Sequence, residues 1–447
     1  MKKTKTIQEA LKENFSESQL LFDSPKEYYS DYSQCQSRKP DCVVKVNSAA
    51  EIQTLLALAN DHNIPVTTRG AGTGKSGGAI PDENSIVISM ANMNRILDID
   101  TVNRTITAEP GVVLSDLQDA VLKKGLWYPV DPASFQTCTI GGNVACNAGG
   151  PRALKYGVTG DYVLGLQGIY GSGTPFQFGG KLRKDVAGYD MKRLLIGSEG
   201  TLGIITTMTL KLLTPPQKET LLWFSFNTLE DGLHYLSTVL QTNIQPSAAE
   251  FMPRLCIKAV EKYHKTTYPF SDASAHLLVA FDSGDVPNMS VKPTMIATTK
   301  EDQETLWQIR RDISPALSAI SHAKFSEDIT VPVSKVPELM RGLQRLSDHS
   351  NYICLGYGHL GDGNVHVNVL NTDKNNTKWE KDKPELAEKI IKLGLSLGGT
   401  LSGEHGIGLT KKAYMPLYFT STDIDIMKAI KKGCDPNNIL NPSKLFL

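Results

Sequence analysis

The sequence lacks three features that would place it in a membrane or in an oxidising compartment. It has no uncharged apolar stretch of about 18 residues, so no membrane-spanning helix is predicted. Glu9, Lys12 and Glu13 interrupt the basic N-terminus where a signal peptide needs its apolar segment. The seven cysteines are scattered and form no Cys-x-x-Cys pair, which argues against disulfides, a zinc ribbon and an iron–sulfur cluster. The sequence predicts a cytoplasmic protein with reduced thiols, and a peripheral association with the inner face of the membrane is left open.

The chain also lacks net charge, since 47 basic side chains balance 47 acidic ones. This balance provides no long-range field toward nucleic acid or anionic lipid, so no nucleic-acid partner is predicted. With 40% hydrophobic and 7% aromatic residues, the composition is that of an ordinary globular protein. A length of 447 residues exceeds a single hydrophobic core, and two or three domains are expected.

The order of predicted elements divides the chain near residue 214. Residues 47–64 have helical apolar spacing, with Ser48 as N-cap and Glu51 completing a capping box. Residues 137–180 are glycine-rich and weakly periodic, which predicts strands and tight loops around a ligand. Thr214–Gln217 is typical of a linker, and beyond it strands alternate with helices. We therefore predict three parts: a domain over 1–214, a second over 218–404, and a C-terminal segment over 405–447.

Arg69–Gly78 is a glycine-rich loop after a predicted strand, and it matches two phosphate-binding patterns imperfectly. Gly74-Lys75-Ser76 fits the end of a Walker A loop, but the first glycine of that pattern falls on Arg69 and no helix is predicted to follow. A Gly-x-Gly-x-x-Gly match, with Asp98 as the ribose acid, has the same missing helix. Two interpretations remain, a nest of backbone amides around a diphosphate and a flexible surface loop.

Two further loops of small residues favour the ligand-binding interpretation. They cover Thr139–Gly150 and Gly197–Thr206, and their glycines allow a ligand to approach the backbone closely. Three such loops in one N-terminal domain predict a large, flat ligand that carries phosphate groups.

Two short segments near the C-terminus, Gly356–Asn368 and Ser402–Gly408, contain three of the nine histidines. Imidazoles, with Glu404 directly before the third of them, suit a borderline divalent cation that keeps open positions for substrate. The alternative is that these segments hold turn glycines and polar loop residues.

His359 and His366 are seven residues apart and would point to opposite faces of an unbroken strand. They can converge only if a turn separates them, and Gly361–Asn364 supplies one. The glycines beside Asp362 favour a structural role in that turn over a role as a metal ligand.

On these residues the chain resembles the vanillyl-alcohol-oxidase (PCMH-type) flavoprotein superfamily. The three glycine loops are similar to its FAD-binding domain. The two histidine segments are similar to the branch that contains glycolate oxidase, D-lactate dehydrogenase and D-2-hydroxyglutarate dehydrogenase. The resemblance extends from about residue 38 to 447 and includes a closing segment, Asp435–Phe446, that returns to the flavin domain. It implies an α+β fold, with a two-part PCMH-type FAD-binding domain and a C-terminal α+β substrate (cap) domain that contains an antiparallel sheet.

The resemblance implies that FAD is the cofactor of the first domain. The residues that it assigns to FAD are Arg69, Gly70, Ala71, Gly72, Thr73, Gly74, Pro132, Thr139, Gly142, Asn143, Glu199, Ile205 and Asn441. The residues from Arg69 to Gly74 would hold the diphosphate with backbone amides, while Glu199 and Ile205 would meet the adenosine end or the ring edge. Ala79 stands where some relatives have a histidine that binds FAD covalently, so non-covalent FAD is expected.

The resemblance also implies a metal centre in the second domain. Its ligands would be His359, His366 and Glu404, its ion zinc, manganese or iron, and its neighbour His405 the catalytic base.

Three further residues are implied to contact the substrate. Arg310 would clamp a carboxylate with its bidentate guanidinium, the alternative being a surface ion pair with Asp312 or Glu304. Asn368 would share the face of His366. Lys324 is two positions away from where some relatives place a lysine for a second carboxylate, which weakens the assignment of a diacid substrate.

The implied activity is the oxidation of a small D-2-hydroxy acid, of the D-lactate, glycolate or D-2-hydroxyglutarate type, to the 2-oxo acid by hydride transfer to flavin. Because the chain lacks iron–sulfur cysteines, electrons would pass to oxygen, a quinone, an electron-transfer flavoprotein or an iron–sulfur subunit. A homodimer is left open. The alternatives are a non-catalytic flavin-binding subunit within a larger dehydrogenase complex, and a flavin oxidase of a different alcohol or sugar acid.

Overall fold

A computed structural model describes residues 6–33 and 35–447, which form two units. The first unit takes in the chain up to Gly149, then Val158–Pro215 and Glu404–Leu447. The second consists of Gly150–Gly157 and Pro216–Gly403. Each unit is therefore assembled from segments that are far apart in the sequence.

A four-stranded sheet of the first unit positions the first glycine loop. Its strands, in spatial order, are Leu20–Leu21, Cys42–Lys45, Ile86–Ser89 and Val66–Arg69, of which the last three are parallel. Parallel neighbours need a crossover, and helix Ala49–His62 runs between two of these strands with Ile52 and Leu55 buried. The strand Val66–Arg69 therefore delivers the chain into the loop that begins at Gly70.

The N-terminus of helix Ala49–His62 shows half of the predicted capping box. The Ser48 hydroxyl accepts a hydrogen bond from the Glu51 amide at 3.3 Å, as predicted. The Glu51 carboxylate, however, accepts from the amide of Asn47 at 2.7 Å, so the reciprocal bond to Ser48 is replaced by one to the preceding residue.

The second sheet of the first unit is antiparallel throughout. Its five strands, in spatial order, are Ile96–Asp100, Thr105–Ala108, Gly203–Lys211, Val163–Tyr170 and Pro175–Gly179. The α-helices of this unit are Ile7–Asn14, Ala49–His62, Leu114–Leu122, Ile140–Cys146, Met191–Leu195, Met415–Tyr418 and Ser421–Cys434. Short 3-10 helices lie at Glu17–Gln19, Lys26–Tyr29, Thr159–Asp161 and Lys412–Tyr414.

The helix Ile140–Cys146 corrects the expectation of only strands and loops over residues 137–180. Gly141 and Gly142 have low intrinsic helix propensity, but Gly141 is closely packed in the first turn. A Cβ on Gly141 would lie 2.4 Å from the Cβ of Pro110. Here glycine permits close packing of a helix, which sequence reasoning took for a loop signal.

The second unit contains two antiparallel sheets. The four-stranded sheet has the spatial order Ala248–Pro253, Ala275–Phe281, Thr220–Phe226 and Met295–Ala297. The three-stranded sheet has the order Ala323–Thr330, Asn364–Asn371 and Ile353–Tyr357. The helices of this unit are Ala153–Tyr156, Leu229–Leu240, Arg254–His264, Lys300–Arg311, Ile313–Ile320, Val336–Asp348 and Trp379–Ser396, with a 3-10 helix at Val333–Lys335. The predicted α+β class, with antiparallel sheet in the C-terminal part, is confirmed.

Across residues 6–33 and 35–447, no helix combines the length and the apolar character needed to cross a bilayer.

A buried lysine anchors the C-terminal segment within the first unit. The Lys431 amine donates to the carbonyl oxygens of Thr201 and Leu440, each at 2.7 Å, and to the carboxylate of Asp435. Asp435 also accepts from the amides of Ile439 at 3.1 Å and Leu440 at 2.8 Å. Leu440 in turn forms a parallel bridge with Val66, beside the strand that leads into the glycine loop.

We expect Lys431→Met to lower the free energy of unfolding by about 3–5 kcal/mol, because it leaves the buried Asp435 without its cation. Chemical denaturation monitored by circular dichroism measures this change. The exposed neighbour Lys432→Met is the matched control and should change the free energy by less than about 0.5 kcal/mol. Equal small effects for both variants would show that Lys431 is not an anchor.

Candidate functional site

The three glycine loops of the first unit surround one cavity of about 420 Å³. The predicted cofactor residues that line it are Gly70, Ala71, Gly72, Thr73, Gly74, Pro132, Thr139, Gly142, Asn143 and Glu199. Glu404 and His405 line the same cavity. The structure therefore brings together ten of the predicted cofactor residues with two of the residues predicted for the metal centre and catalysis.

The cavity wall carries polar atoms that fit a polar ligand. Within the described part of the chain, Thr68 Oγ1, Thr139 Oγ1 and Asn143 Nδ2 are buried and have no hydrogen-bond partner. A buried polar atom without a partner costs about 1–3 kcal/mol, so three around one cavity indicate a ligand that supplies the missing hydrogen bonds. FAD has both donors and acceptors, and the apolar and backbone surface of the glycine loops suits a flat ring and a diphosphate.

Arg69, by contrast, does not line the cavity. Its guanidinium donates to the carbonyl oxygens of Glu27 at 2.5 Å and Ser30 at 2.8 Å, and it lies 5.6 Å from the ring centre of Tyr28. The side chain therefore holds the preceding segment against the start of the loop. Tyr32, at the end of that segment, lines the cavity and was not singled out from the sequence.

Two other predicted cofactor residues also lie away from this wall. Ile205 lines a second pocket of about 40 Å³, which shares Gly70 and Thr139 with the larger cavity. Asn441 is buried, and its amide donates to the carbonyl oxygen of Glu199 at 2.8 Å. Asn441 therefore supports the third glycine loop through its backbone.

Glu199 connects the glycine loops to the segment that carries His405. Its carboxylate accepts from the amide of Ile407 at 2.7 Å and from the hydroxyl of Ser76 at 3.3 Å. Gly406 has φ +87°, and a Cβ there would lie 2.8 Å from the Glu199 carboxylate, so this close approach requires glycine. Burial raises the pKa of Glu199, although these hydrogen bonds oppose the rise.

In the second unit, polar side chains share one face of the three-stranded sheet. Along Asn364–Asn371, residues Asn364, His366 and Asn368 alternate with apolar residues and so point the same way. The residues directly opposite them on the neighbouring strand are Thr330, Asp328 and Ser326. On the other side, Tyr357 is opposite His366. The register therefore concentrates hydrogen-bonding groups around His366.

The predicted turn brings His359 and His366 together. Gly358 has φ +137° and Gly363 φ +86°, conformations that glycine adopts readily. The Nε2 atoms of the two imidazoles are 3.3 Å apart. Asp362 serves in the turn, as expected, because its carboxylate accepts from the amide of Asn364 at 3.1 Å.

Each imidazole turns its other nitrogen toward a buried carboxylate. Nδ1 of His359 is 2.5 Å from Oε1 of Glu250, and Nδ1 of His366 is 3.8 Å from Oδ1 of Asp328. Glu250 and Asp328 are both fully buried. With the Nδ1 atoms facing carboxylates, the two Nε2 atoms face each other, an arrangement that could hold a cation.

The distance between the two Nε2 atoms fits a shared cation. Imidazole nitrogens bind zinc at about 2.0–2.1 Å, so two ligands in neighbouring positions lie roughly 3.0–3.4 Å apart. The third predicted ligand, Glu404, comes two residues after Ser402, whose hydroxyl donates to Asp328 at 3.0 Å. The donor set of imidazole and carboxylate suits zinc, manganese or iron.

Arg310 is buried beside this group. Its Nε donates to Glu250, and its guanidinium carbon lies 5.1 Å from the ring centre of Tyr357. The alternative of a surface ion pair is wrong for Arg310: the neighbouring Arg311 pairs with Glu304. Among the described residues, Nη2 of Arg310 is buried without a hydrogen-bond partner, which leaves it available to a ligand.

The charges of its neighbours dominate the ionisation of Glu250. Burial alone would raise its pKa, but Arg310 and His359 together hold the pKa at about 2. Glu250 is therefore an anion at neutral pH, and it balances the charge of Arg310.

The other two predicted substrate residues have partners in the protein. Asn368 is buried, and its side-chain oxygen accepts from Ser326 at 2.9 Å, on the face that carries His366. Lys324 donates to the carbonyl oxygen of Ser314 at 2.9 Å and to its hydroxyl at 3.2 Å. The Lys324 amine is thus engaged with the helix Ile313–Ile320.

Sequence reasoning missed the roles of Glu250 and Asp328. Glu250 is the one charged residue in the strand Ala248–Pro253, whose other members are apolar. A lone acid in an otherwise apolar strand is a signal, because a buried charge needs a partner. Asp328 gave a weaker signal, since Glu327 precedes it and the pattern does not say which of the two faces the site.

Two family models match the chain. The model for FAD linked oxidases, C-terminal domain, matches residues 215–445, and the model for a FAD binding domain matches residues 40–179.

Three related proteins align with 90% or more of this chain. It is 36% identical to glycolate oxidase subunit GlcD of Bacillus subtilis (strain 168), over 99% of this chain and 96% of that protein. It is 38% identical to D-lactate dehydrogenase of Archaeoglobus fulgidus, over 90% of each. It is 32% identical to D-2-hydroxyglutarate dehydrogenase of Xanthomonas citri pv. viticola, over 94% of this chain and 92% of that protein.

Solved structures confirm the predicted fold. Alkyldihydroxyacetonephosphate synthase matches with a TM-score of 0.74 at 20% identity, over 99% of this chain and 86% of that one. p-Cresol methylhydroxylase matches with a TM-score of 0.74 at 14% identity, over 98% and 96%. The predicted PCMH-type FAD-binding domain with a C-terminal α+β domain is therefore confirmed. The match of residues 40–179 to the FAD binding domain model supports FAD as the cofactor.

We expect Glu199→Gln to change the pH dependence of stability. Because the folded pKa of Glu199 is raised, its contribution to stability is complete below the ordinary value of 4.5 and is lost as pH rises through the raised pKa. Glutamine keeps an acceptor for Ile407 but does not titrate. The Tm of Glu199→Gln relative to the wild type should therefore increase as pH rises from about 4.5, measured by calorimetry of the FAD-loaded proteins.

The exposed Glu83→Gln is the control for this comparison, and its Tm curve should run parallel to that of the wild type. A parallel curve for Glu199→Gln as well would contradict the raised pKa.

Proposed function

The chain belongs to the family of FAD-linked oxidases, and from that membership we propose that it is a metal-dependent dehydrogenase that oxidises a small D-2-hydroxy acid to the 2-oxo acid. The observation that carries the proposal is the facing pair of imidazoles, His359 and His366, each with a buried carboxylate at Nδ1. Named relatives act, by their names, on glycolate, D-lactate and D-2-hydroxyglutarate, which are all 2-hydroxy acids.

FAD and the proposed metal ion would supply different chemistry. FAD, held by the glycine loops of the first unit, supplies a two-electron acceptor. His359, His366 and Glu404 would hold a zinc, manganese or iron ion, which would supply a Lewis acid to make the substrate hydroxyl more acidic.

Arg310 binds the substrate carboxylate in this proposal. Its Nε is occupied by Glu250, so the two Nη nitrogens face the ligand, and the ring of Tyr357 supports the guanidinium plane. Asn368 lies on the sheet face of His366 and orients the bound acid with its amide group. These contacts select the configuration at C2 that the site accepts.

His405 accepts the hydroxyl proton on a ring nitrogen. An imidazole suits this role near neutral pH, and His405 lines the cavity that the glycine loops form. Glu199 accepts a hydrogen bond from the Ile407 amide and so fixes the segment that carries His405.

The substrate is a monocarboxylate in this proposal. Among the described residues of the second unit, Arg310 carries the one buried guanidinium. The Lys324 amine is already bonded to Ser314. A second carboxylate, as in D-2-hydroxyglutarate, would therefore compete with Ser314 for the Lys324 amine. Electrons leave to an electron-transfer flavoprotein, a quinone or an iron–sulfur subunit.

Anaerobic bleaching of the flavin absorbance tests this function. We expect D-lactate or glycolate to bleach the wild type, and D-2-hydroxyglutarate to do so at least about tenfold more slowly. In His366→Ala the bleaching should slow by more than about 100-fold, because a metal ligand is lost, while the ratio of flavin to protein stays the same.

His349→Ala is the matched control, since His349 is exposed and bonds only the carbonyl oxygen of Arg345 among its described contacts. Normal bleaching of His366→Ala would remove the metal from the mechanism. Absence of bleaching with every D-2-hydroxy acid would favour a non-catalytic subunit. Bleaching only by another alcohol or by a sugar acid would show that the substrate belongs to that class instead.

A further inference from the structure

Glu250 connects two functional side chains that are far apart in the sequence. One carboxylate oxygen, Oε1, accepts from His359 Nδ1 at 2.5 Å, and the other, Oε2, accepts from Arg310 Nε. The carboxylate is fully buried, so no solvent competes for either oxygen.

The backbone holds Glu250 and His359 in a fixed relation. The amide of Phe251 donates to the carbonyl of Gly358 at 3.0 Å, and the amide of Gly358 donates back to Phe251 at 3.1 Å. The Gly361 amide also donates to the carbonyl of Ala249 at 3.1 Å. The strand on either side of Glu250 is thus bonded to the turn on either side of His359.

Stability alone does not explain a buried ion pair in this place. Buried pairs can often be replaced by apolar residues of similar volume without loss of stability, because burying two charges costs about as much as their attraction returns. The other residues of the strand Ala248–Pro253 are apolar, so an apolar residue at position 250 would match its neighbours along the strand. The carboxylate therefore needs an explanation in the orientation of its two partners.

We propose that Glu250 is a positioning residue that orients the metal ligand His359 and the carboxylate clamp Arg310 at the same time. This inference rests on the proposed function. At His359 it fixes the proton on Nδ1, so that Nε2 presents its lone pair to the metal. At Arg310 it occupies Nε, so that the two Nη nitrogens are directed at the substrate.

Because one carboxylate accepts hydrogen bonds from both His359 and Arg310, a substitution at Glu250 should affect both residues. Glutamine at this position has one acceptor oxygen and one NH₂ group, so it cannot accept from both His359 Nδ1 and Arg310 Nε. Whichever way the amide lies, one of the two partners faces a donor. Glu250→Gln should therefore weaken metal binding and substrate binding together, whereas a purely structural residue would change neither in the folded protein.

The test measures Zn²⁺ affinity of the FAD-loaded protein by competition with a chelating dye in the absence of substrate, and then KM for the acid that bleaches the flavin. We expect Glu250→Gln to bind Zn²⁺ about 10–100-fold more weakly and to raise KM at least about tenfold. Glu261→Gln is the matched control, a buried carboxylate that bonds Tyr268 and Lys258, and it should leave both values unchanged.

If Glu250→Gln does not fold, the double variant Glu250→Gln with Arg310→Met removes the buried cation that has lost its partner, and its Zn²⁺ affinity then reports on His359 alone. A folded variant with wild-type Zn²⁺ affinity and wild-type KM would overturn this inference and leave the proposed function standing. A wild-type protein that binds no divalent ion would overturn both.

Discussion

Two imidazole nitrogens held 3.3 Å apart are the constraint on which the second unit is organised. Neither ring could keep this orientation alone, because a neutral imidazole can carry its proton on either nitrogen and can rotate about its side-chain bonds. Here a buried carboxylate lies at Nδ1 of each ring. The hydrogen bond from Glu250 fixes the proton of His359 on Nδ1, and the charge of Asp328 faces the corresponding nitrogen of His366 at 3.8 Å.

Three separate features of the backbone produce this arrangement. The sheet register places Asp328 directly opposite His366. A glycine turn returns the chain so that His359 meets His366. Backbone hydrogen bonds between the strand around Glu250 and the same turn set the position of Glu250 relative to His359. Because each feature is built from backbone bonds, the geometry depends on the fold more than on flexible side chains. The first unit follows the same rule, since its cavity is walled by glycine loops and the segment of His405 is tied down by Glu199.

Local patterns predicted the parts of the site that are local. The turn between His359 and His366 followed from their spacing and from the glycines between them, and the three glycine loops around one ligand followed from composition. The helix Ile140–Cys146 was missed because glycine there serves close packing against Pro110, a contact that no local pattern reveals. Glu250 was missed for the same reason, since it meets His359 across 109 residues of sequence. Arg69 was expected among the residues that hold the diphosphate, but it does not line the cavity, and its side chain bonds the carbonyls of Glu27 and Ser30.

X-ray absorption at the edge of the bound metal tests the central claim most directly, because it counts the ligands and measures their distances in the resting protein. The account predicts two imidazole nitrogens at about 2.0–2.1 Å, together with oxygen ligands, and one imidazole fewer in His359→Ala. A spectrum with no imidazole contribution, or one that His359→Ala leaves unchanged, would contradict the claim that these two rings bind the metal.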